Sequence, residues 1–112
     1  MFSEVVHIVL FGLRDRADAP QVTTRFTSLA DECLRDGKRY ILSIEGGGQS
    51  SIEEPGKAWT LGFVMRFATE SDRDFYVGGE DEAHESFKAF VGPLLVPEGV
   101  AVFDFTNGVA TP

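Results

Sequence analysis

The stretch "EVVHIVLFGL", residues 4 to 13, limits the architecture more than any other part of the chain. Its β-branched and aromatic residues read as a strand. It lacks the apolar–polar alternation of a strand with one wet face, so both of its faces must be covered. The segments after it decide what can cover them. "RDRADAP" breaks the pattern, and from Gln21 the apolar positions Val22, Phe26, Leu29, Ala30, Cys33 and Leu34 recur at helical spacing until Gly37, which predicts an amphipathic helix. "RYILSIEGG" alternates Tyr40, Leu42 and Ile44 against Ile41, Ser43 and Glu45 as a second strand, and "GGGQSSIEEPG" is a surface loop ending in a proline turn. "KAWTLGFVMRF" sets Trp59, Leu61, Phe63, Met65 and Phe67 on one face of a third, central strand. "TESDRDFYV" opens a helix with Ser71 as N-cap and Asp74 three residues later. After "GGED", the segment "EAHESFKAFVGPLL" carries Ala83, Phe87, Phe90, Val91 and Leu94 on one stripe until Gly92 and Pro93 weaken it, and "GVAVFDF" is the last strand.

The order β-α-β-β-α-β in 112 residues predicts one α+β domain of the ferredoxin-like type, an antiparallel sheet with helices on one face. That leaves the opposite face bare. Strand one is apolar there too, and the aromatic third strand adds to a patch beyond what a monomer ordinarily exposes. A second copy packed sheet to sheet would cover it, giving a homodimeric α+β barrel and protecting the strand edges.

Ten basic against eighteen acidic residues give a net charge of -8, which removes the attraction that nucleic acid or an anionic membrane requires; neither is expected as a partner. Cys33 is the single cysteine, so no intrachain disulfide forms, and its place on an apolar helix stripe makes it a packing residue in a reducing compartment. The amino-terminal "MFSEVVHIVLFGL" has an acid where a signal peptide wants basic residues, and its apolar run is too short to span a bilayer, so a cytoplasmic location is expected.

Familiar catalytic motifs fail on their spacing. In "GGGQSS" the third glycine of a dinucleotide loop falls on Ser51, as does the glycine a phosphate loop needs six residues before Lys57. "HESFK" has Lys88 where a zinc-protease helix needs its second histidine, so no metal is expected. No G-x-S-x-G turn marks a serine nucleophile. The acids Glu80, Asp81, Glu82 and Glu85 read as a helix cap, each gaining roughly 0.3 to 1 kcal/mol from the helix dipole. The chain's two histidines remain. His84 lies beside the apolar stripe of its helix, where position alone fits a solvated residue or a working base. His7 sits among apolar neighbours in "VVHIVLF", so a buried imidazole there needs a polar partner, whether backbone, water or a site residue.

Together "HIVLF" at 7–11, "RFATESDRDFYV" at 66–77, "AHESFKAFVGPLL" at 83–95 and "VFDF" at 102–105 make the chain resemble the stress-responsive A/B barrel (Dabb) family. The resemblance implies a dimeric α+β barrel, an architecture shared with monooxygenases that act on phenols without metal or flavin. It also implies polyketide-cyclase-like members that close a poly-β-ketone by aldol condensation. In that type a histidine of the second helical region acts with a nearby tyrosine, across the pocket from a strand-one histidine; the matching positions are His84, Tyr76 and His7. "GGEDEAH" is longer than the family's usual segment after the tyrosine, and "WTL" at 59–61 replaces a more polar triplet, so Trp59 is expected to form a different pocket wall.

If His7 is to approach His84, then Val5, His7, Val9 and Phe11 face the helices and Val6, Ile8 and Leu10 face the dimer. His84 is then the polar partner within reach of His7. Val9, Phe11, Phe26, Leu29 and Phe87 are the expected apolar walls, with Trp59, for a small apolar or aromatic substrate. The function implied is a cofactor-free lyase or cyclase of a polyketide or phenolic substrate. The competing readings are a homodimer that binds a ligand without reaction, and cofactor-free oxygenation of a phenol.

Overall fold

The computed structural model describes residues 3–53 and 58–111. Four long strands, β1 (Val5–Leu13), β4 (Ile41–Gly48), β5 (Leu61–Phe67) and β6 (Leu95–Thr106), form one antiparallel sheet in the order β4-β5-β1-β6. The helices α1 (Ala19–Thr27), α2 (Leu29–Glu32), α3 (Glu70–Val77) and α4 (Glu82–Val91) accompany it. The architecture is the ferredoxin-like α+β fold, with β1 in an interior position as its uniform apolarity requires.

The register shows which side chains share a face. His7 opposes Met65 on one side and Asp104 on the other, while Val9 lies between Phe63 and Val102. Leu61, Phe63, Met65 and Phe67 are at most 2% exposed and form the core with Val5, Val9 and Phe11 of β1 and Val22, Phe26, Phe87 and Val91 of the helices. The aromatic face of the third main strand therefore points to the helices, not to the bare side. On the bare side β6 contributes two rings: Phe103 and Phe105 pair in register with Ile8 and Val6, and Phe103 is 66% exposed.

Local chemistry departs from the simple periodicities in four places. The first helix does not run to Gly37. It is interrupted at Ser28, whose hydroxyl and amide both donate to the Thr24 carbonyl, and after α2 the chain turns into a short hairpin, β2 (Leu34–Arg35) and β3 (Lys38–Arg39). Asp36 and Gly37 hold φ of 53° and 76°, the left-handed pair that a two-residue hairpin turn demands. A bulge at Leu42 turns Ile41 and Ile44 to the same face, opposite Phe67 and Met65, and leaves Leu42 out in solvent. The N-cap of α3 is Thr69, not Ser71: its hydroxyl accepts the Asp72 amide at 3.1 Å, two residues earlier than the expected box. β6 starts at Leu95, not Gly99, because the chain bulges between the Phe11 and Leu13 pairings and then resumes.

The glycine stretch belongs to β4 rather than to a loop. A Cβ at Gly46 would lie 2.1 Å from the Gly62 carbonyl oxygen, so the approach of β4 to β5 requires glycine there. The proline turn expected at 54–56 and Lys57 lie outside the described residues. No helix among the described residues is long and apolar enough to cross a membrane.

One acid of the expected cap does more than cap. Asp81 is 2% exposed; its Oδ1 accepts the His84 amide at 3.0 Å and its Oδ2 accepts the Tyr40 hydroxyl at 2.5 Å, tying the start of α4 to the start of β4. Replacing Asp81 by Ala removes a cap worth about 1 kcal/mol. It also orphans a buried hydroxyl, at about 1–3 kcal/mol. Chemical denaturation of Asp81→Ala is expected to show a combined loss of about 2–4 kcal/mol, whereas Glu80→Ala, on an exposed side chain, is expected to change stability by less than about 0.5 kcal/mol.

Candidate functional site

A cavity of about 600 Å³ lies between the helices and the β1–β6 half of the sheet. Val9 and Phe11 of β1, Phe26 of α1 and Phe87 and Val91 of α4 form its apolar walls. Phe26 meets Phe63, Phe87 and Phe11 at centroid distances of 4.4, 5.1 and 5.5 Å, so this wall is a packed ring cluster. The β6 side is thinly covered: Val100 and Val102 line the cavity yet remain 47% and 55% exposed. Polar groups enter from His7, Tyr76, His84, Lys88 and Asp104.

The expected trio converges on this cavity. Tyr76 lies in the last turn of α3 and is 1% exposed, and the His84 imidazole stacks on its ring at 3.7 Å, nearly parallel at 7°. The Tyr76 ring also meets His7 edge to face at 5.9 Å. His84 Nδ1 lies 2.7 Å from the Tyr76 carbonyl oxygen. A carbonyl only accepts, so Nδ1 carries the hydrogen, and in the neutral ring Nε2 keeps its lone pair. Burial lowers the pKa of His84 below 6.5; the Tyr76 carbonyl opposes this, Lys88 adds to it, and Glu85 and Asp81 oppose it more weakly. The net direction favours a neutral imidazole at pH 7. Burial, with the Asp81 charge adding to it, pushes the Tyr76 phenol far up, so it stays an O–H donor. Cys33 is fully buried and its thiol is likewise driven up, first by burial and then by Asp81, which leaves it a packing residue.

The polar partner of His7 is not His84. His7 Nδ1 lies 2.6 Å from Asp104 Oδ1, across the β1–β6 register, and Asp104 Oδ2 accepts from Arg73 Nη1 at 3.1 Å. Neither Asp104 nor Arg73 was among the candidates. The signal for Asp104 was present in "VFDF", an acid at an inward position of an apolar strand, the same kind of signal that singled out His7. Arg73 gave none, being one of several charges on an amphipathic helix.

Two expected walls lie elsewhere. Leu29 is 1% exposed in the core, but α2 packs over β4, at the edge of the sheet opposite β6, and Leu29 does not line the cavity. Trp59 sits on the other side of the sheet in a groove with Leu10 and Gly62. It precedes β5, and Thr60 interrupts the alternation by giving its amide to the Phe11 carbonyl, while its hydroxyl accepts the Leu13 amide, at 2.7 and 2.9 Å. Among the described residues no three His, Cys, Asp or Glu side chains converge as a metal site.

A family model described as the stress responsive A/B barrel domain (Dabb) matches residues 5–107. The chain belongs to this family. No curated protein matches the sequence. Solved structures of the family's architecture superpose over nearly the whole chain. A hydroxynitrile lyase from Passiflora edulis has a TM-score of 0.72 at 16% identity, covering 100% of both chains. A dimeric ferredoxin-like protein of unknown function from Jannaschia sp. CCS1 has a TM-score of 0.71 at 16% identity, covering 91% of this chain and 97% of the other. A Dabb family protein from Mesorhizobium loti has a TM-score of 0.64 at 18% identity, covering 98% and 99%. At such identities the likeness carries the fold and nothing finer.

The lowered pKa of His84 has a thermodynamic sign. The unfolded ring takes a proton near pH 6.5 and the folded one only at lower pH, so the folded state binds fewer protons between those values and stability falls as pH drops through that window. Ring-proton NMR is expected to show His84 titrating below 6.5. Denaturation at pH 5 and pH 7 is expected to show a pH-dependent loss that shrinks in His84→Gln.

Proposed function

We propose that the protein is a cofactor-independent lyase or cyclase that acts on a small aromatic or polyketide-type substrate by proton transfer at His84. One observation supports this reading above the rest. His84 gives its Nδ1 hydrogen to a backbone carbonyl, which leaves a neutral Nε2 lone pair in a largely apolar cavity beside a phenol that stays protonated. A base of this kind needs a pKa near or below the working pH and low competition from water.

In the reaction envisaged, Nε2 takes the acidic proton alpha to a substrate carbonyl while the Tyr76 hydroxyl, or His7 when its Nε2 bears hydrogen, donates to the developing enolate oxygen. The enolate carbon attacks a second carbonyl of the same molecule, forming the ring bond. The His84 imidazolium then returns its proton to the new alkoxide. Dehydration or decarboxylation of the product would reuse the same base. Run in reverse, the sequence cleaves a carbon–carbon bond, the class of chemistry named for the Passiflora edulis lyase.

Because the reading rests on a base in an apolar cavity, 5-nitrobenzisoxazole is a suitable probe: loss of its ring C–H proton opens the ring to a coloured phenolate. His84→Ala is expected to slow this elimination about 100-fold with an unchanged circular dichroism spectrum, the scale of a lost general base. Equal rates in wild type and variant would remove His84 from the mechanism.

The chain is also proposed to work as a homodimer through the bare sheet face, where Val6, Ile8, Leu10, Val64, Phe103 and Phe105 lie together. The Jannaschia relative is described as dimeric, in keeping with this assignment. Light scattering at micromolar concentration is expected to give twice the chain mass, and Phe103→Asp to give the monomer. A monomeric wild type would sink the assignment.

A further inference from the structure

The cavity-facing His7 ends a chain of charges that leads out of the site. Its Nδ1 meets Asp104 Oδ1 at 2.6 Å, Asp104 Oδ2 meets Arg73 Nη1 at 3.1 Å, and Arg73 Nε meets Asp74 Oδ1 at 2.7 Å. His7 is 4% exposed, whereas the Arg73 and Asp104 side chains are 22% and 23% exposed, so the network runs from a closed interior to a partly wetted edge between α3 and β6. Arg73 does not line the cavity. We infer that Arg73 is a positioning residue which, through Asp104, fixes the ring orientation and tautomer of His7 and so holds its Nε2 toward a bound substrate.

A carboxylate accepts, so Asp104 fixes the Nδ1–H edge of His7 outward and turns Nε2 toward the cavity. Arg73 sits on the other oxygen with a permanent positive charge and holds that carboxylate in the orientation that meets His7. The other groups around His7 do not replace it. From α3 come Tyr76, which stays protonated, and Asp74, which binds Arg73; His84 reaches the same cavity from α4; β5 contributes the apolar Phe67 and Met65. Lys88 of α4 also lines the cavity, but the cation bonded to the pair is Arg73, 66 residues away from His7 in sequence.

The role in catalysis rests on the proposed proton-transfer reading, but the network is testable without substrate. In the full chain labelled with 15N-histidine, the His7 ring nitrogens are expected to show a single Nδ1–H tautomer in the wild type and a mixture of tautomers in Arg73→Gln, because Asp104 loses the bond that holds its second oxygen. The single tautomer is expected to return in Arg73→Lys and to be lost in Asp104→Asn, with the His84 signals unmoved throughout. An unaltered His7 tautomer in both Arg73→Gln and Asp104→Asn overturns the inference. Elimination of 5-nitrobenzisoxazole separates the two claims. Arg73→Gln is expected to lower kcat with KM within about twofold, and Arg73→Lys to restore it. A kcat unchanged while NMR shows the His7 tautomer altered would retract the role of Arg73 in catalysis, whereas full activity in His84→Ala would retract the proton-transfer reading and leave the His7 network standing.

Discussion

Everything in this molecule depends on having to bury β1 on both faces. A strand that is apolar on its two sides belongs in the interior of a sheet, and here β5 and β6 flank it. The helices cover one side. On that side the only polar residue of β1 is His7, and the cost of burying an imidazole is offset by the residue that the register places opposite it, Asp104. The same pairing that completes the sheet therefore builds a polar corner into an otherwise apolar cavity. Strand register and site assembly are one event, because a one-residue slip of β6 would carry Asp104 to the opposite face and leave His7 without a partner.

α4 is held with comparable definition, by a different device. Asp81 caps the helix and takes the Tyr40 hydroxyl, so the turn carrying His84 is fixed to the beginning of β4 by a buried carboxylate with both oxygens bonded. A backbone cap orients a helix only along its axis; the second bond to Tyr40 supplies a lateral constraint. The Tyr76 stack supplies a third contact, on the imidazole itself. In the proposed role of base, an imidazole constrained in this way would reorganise little when substrate arrives.

Much of this was legible in the sequence. Element order, the inward face of β1, the convergence of His7, Tyr76 and His84, and four of the six expected walls follow from periodicity and the family resemblance. The failures share a cause. Leu29 and Trp59 were placed by extending a regular pattern through residues whose side chains bond to nearby backbone: Ser28, which ends α1, and Thr60, which ends the alternation before β5. Likewise the alternation of the second main strand failed at the Leu42 bulge. A single extra residue changes which face every later side chain occupies, and no hydrophobic period encodes it. Asp104 and Arg73 were missed because a long-range partner is set by register and helix placement, neither of which is visible in a local window.

The segment "GGEDEAH" shows how a longer connection can preserve a short distance. Seven residues separate Tyr76 from His84, enough to carry them far apart, yet the imidazole reaches the Tyr76 carbonyl. Gly78 closes α3 where a Cβ would lie 2.8 Å from the Asp74 carbonyl oxygen, and Gly79 reverses the chain at φ of 85°. Asp81 then starts α4 at once by capping it. The two glycines turn the added length into a tight reversal rather than into reach. His84 consequently falls in the first turn of α4, directly beneath the end of α3, where an orphan carbonyl is available to accept its Nδ1 hydrogen. The segment keeps Tyr76 beside His84: Tyr76 delivers the carbonyl that sets the His84 tautomer, and with it the direction in which the lone pair points.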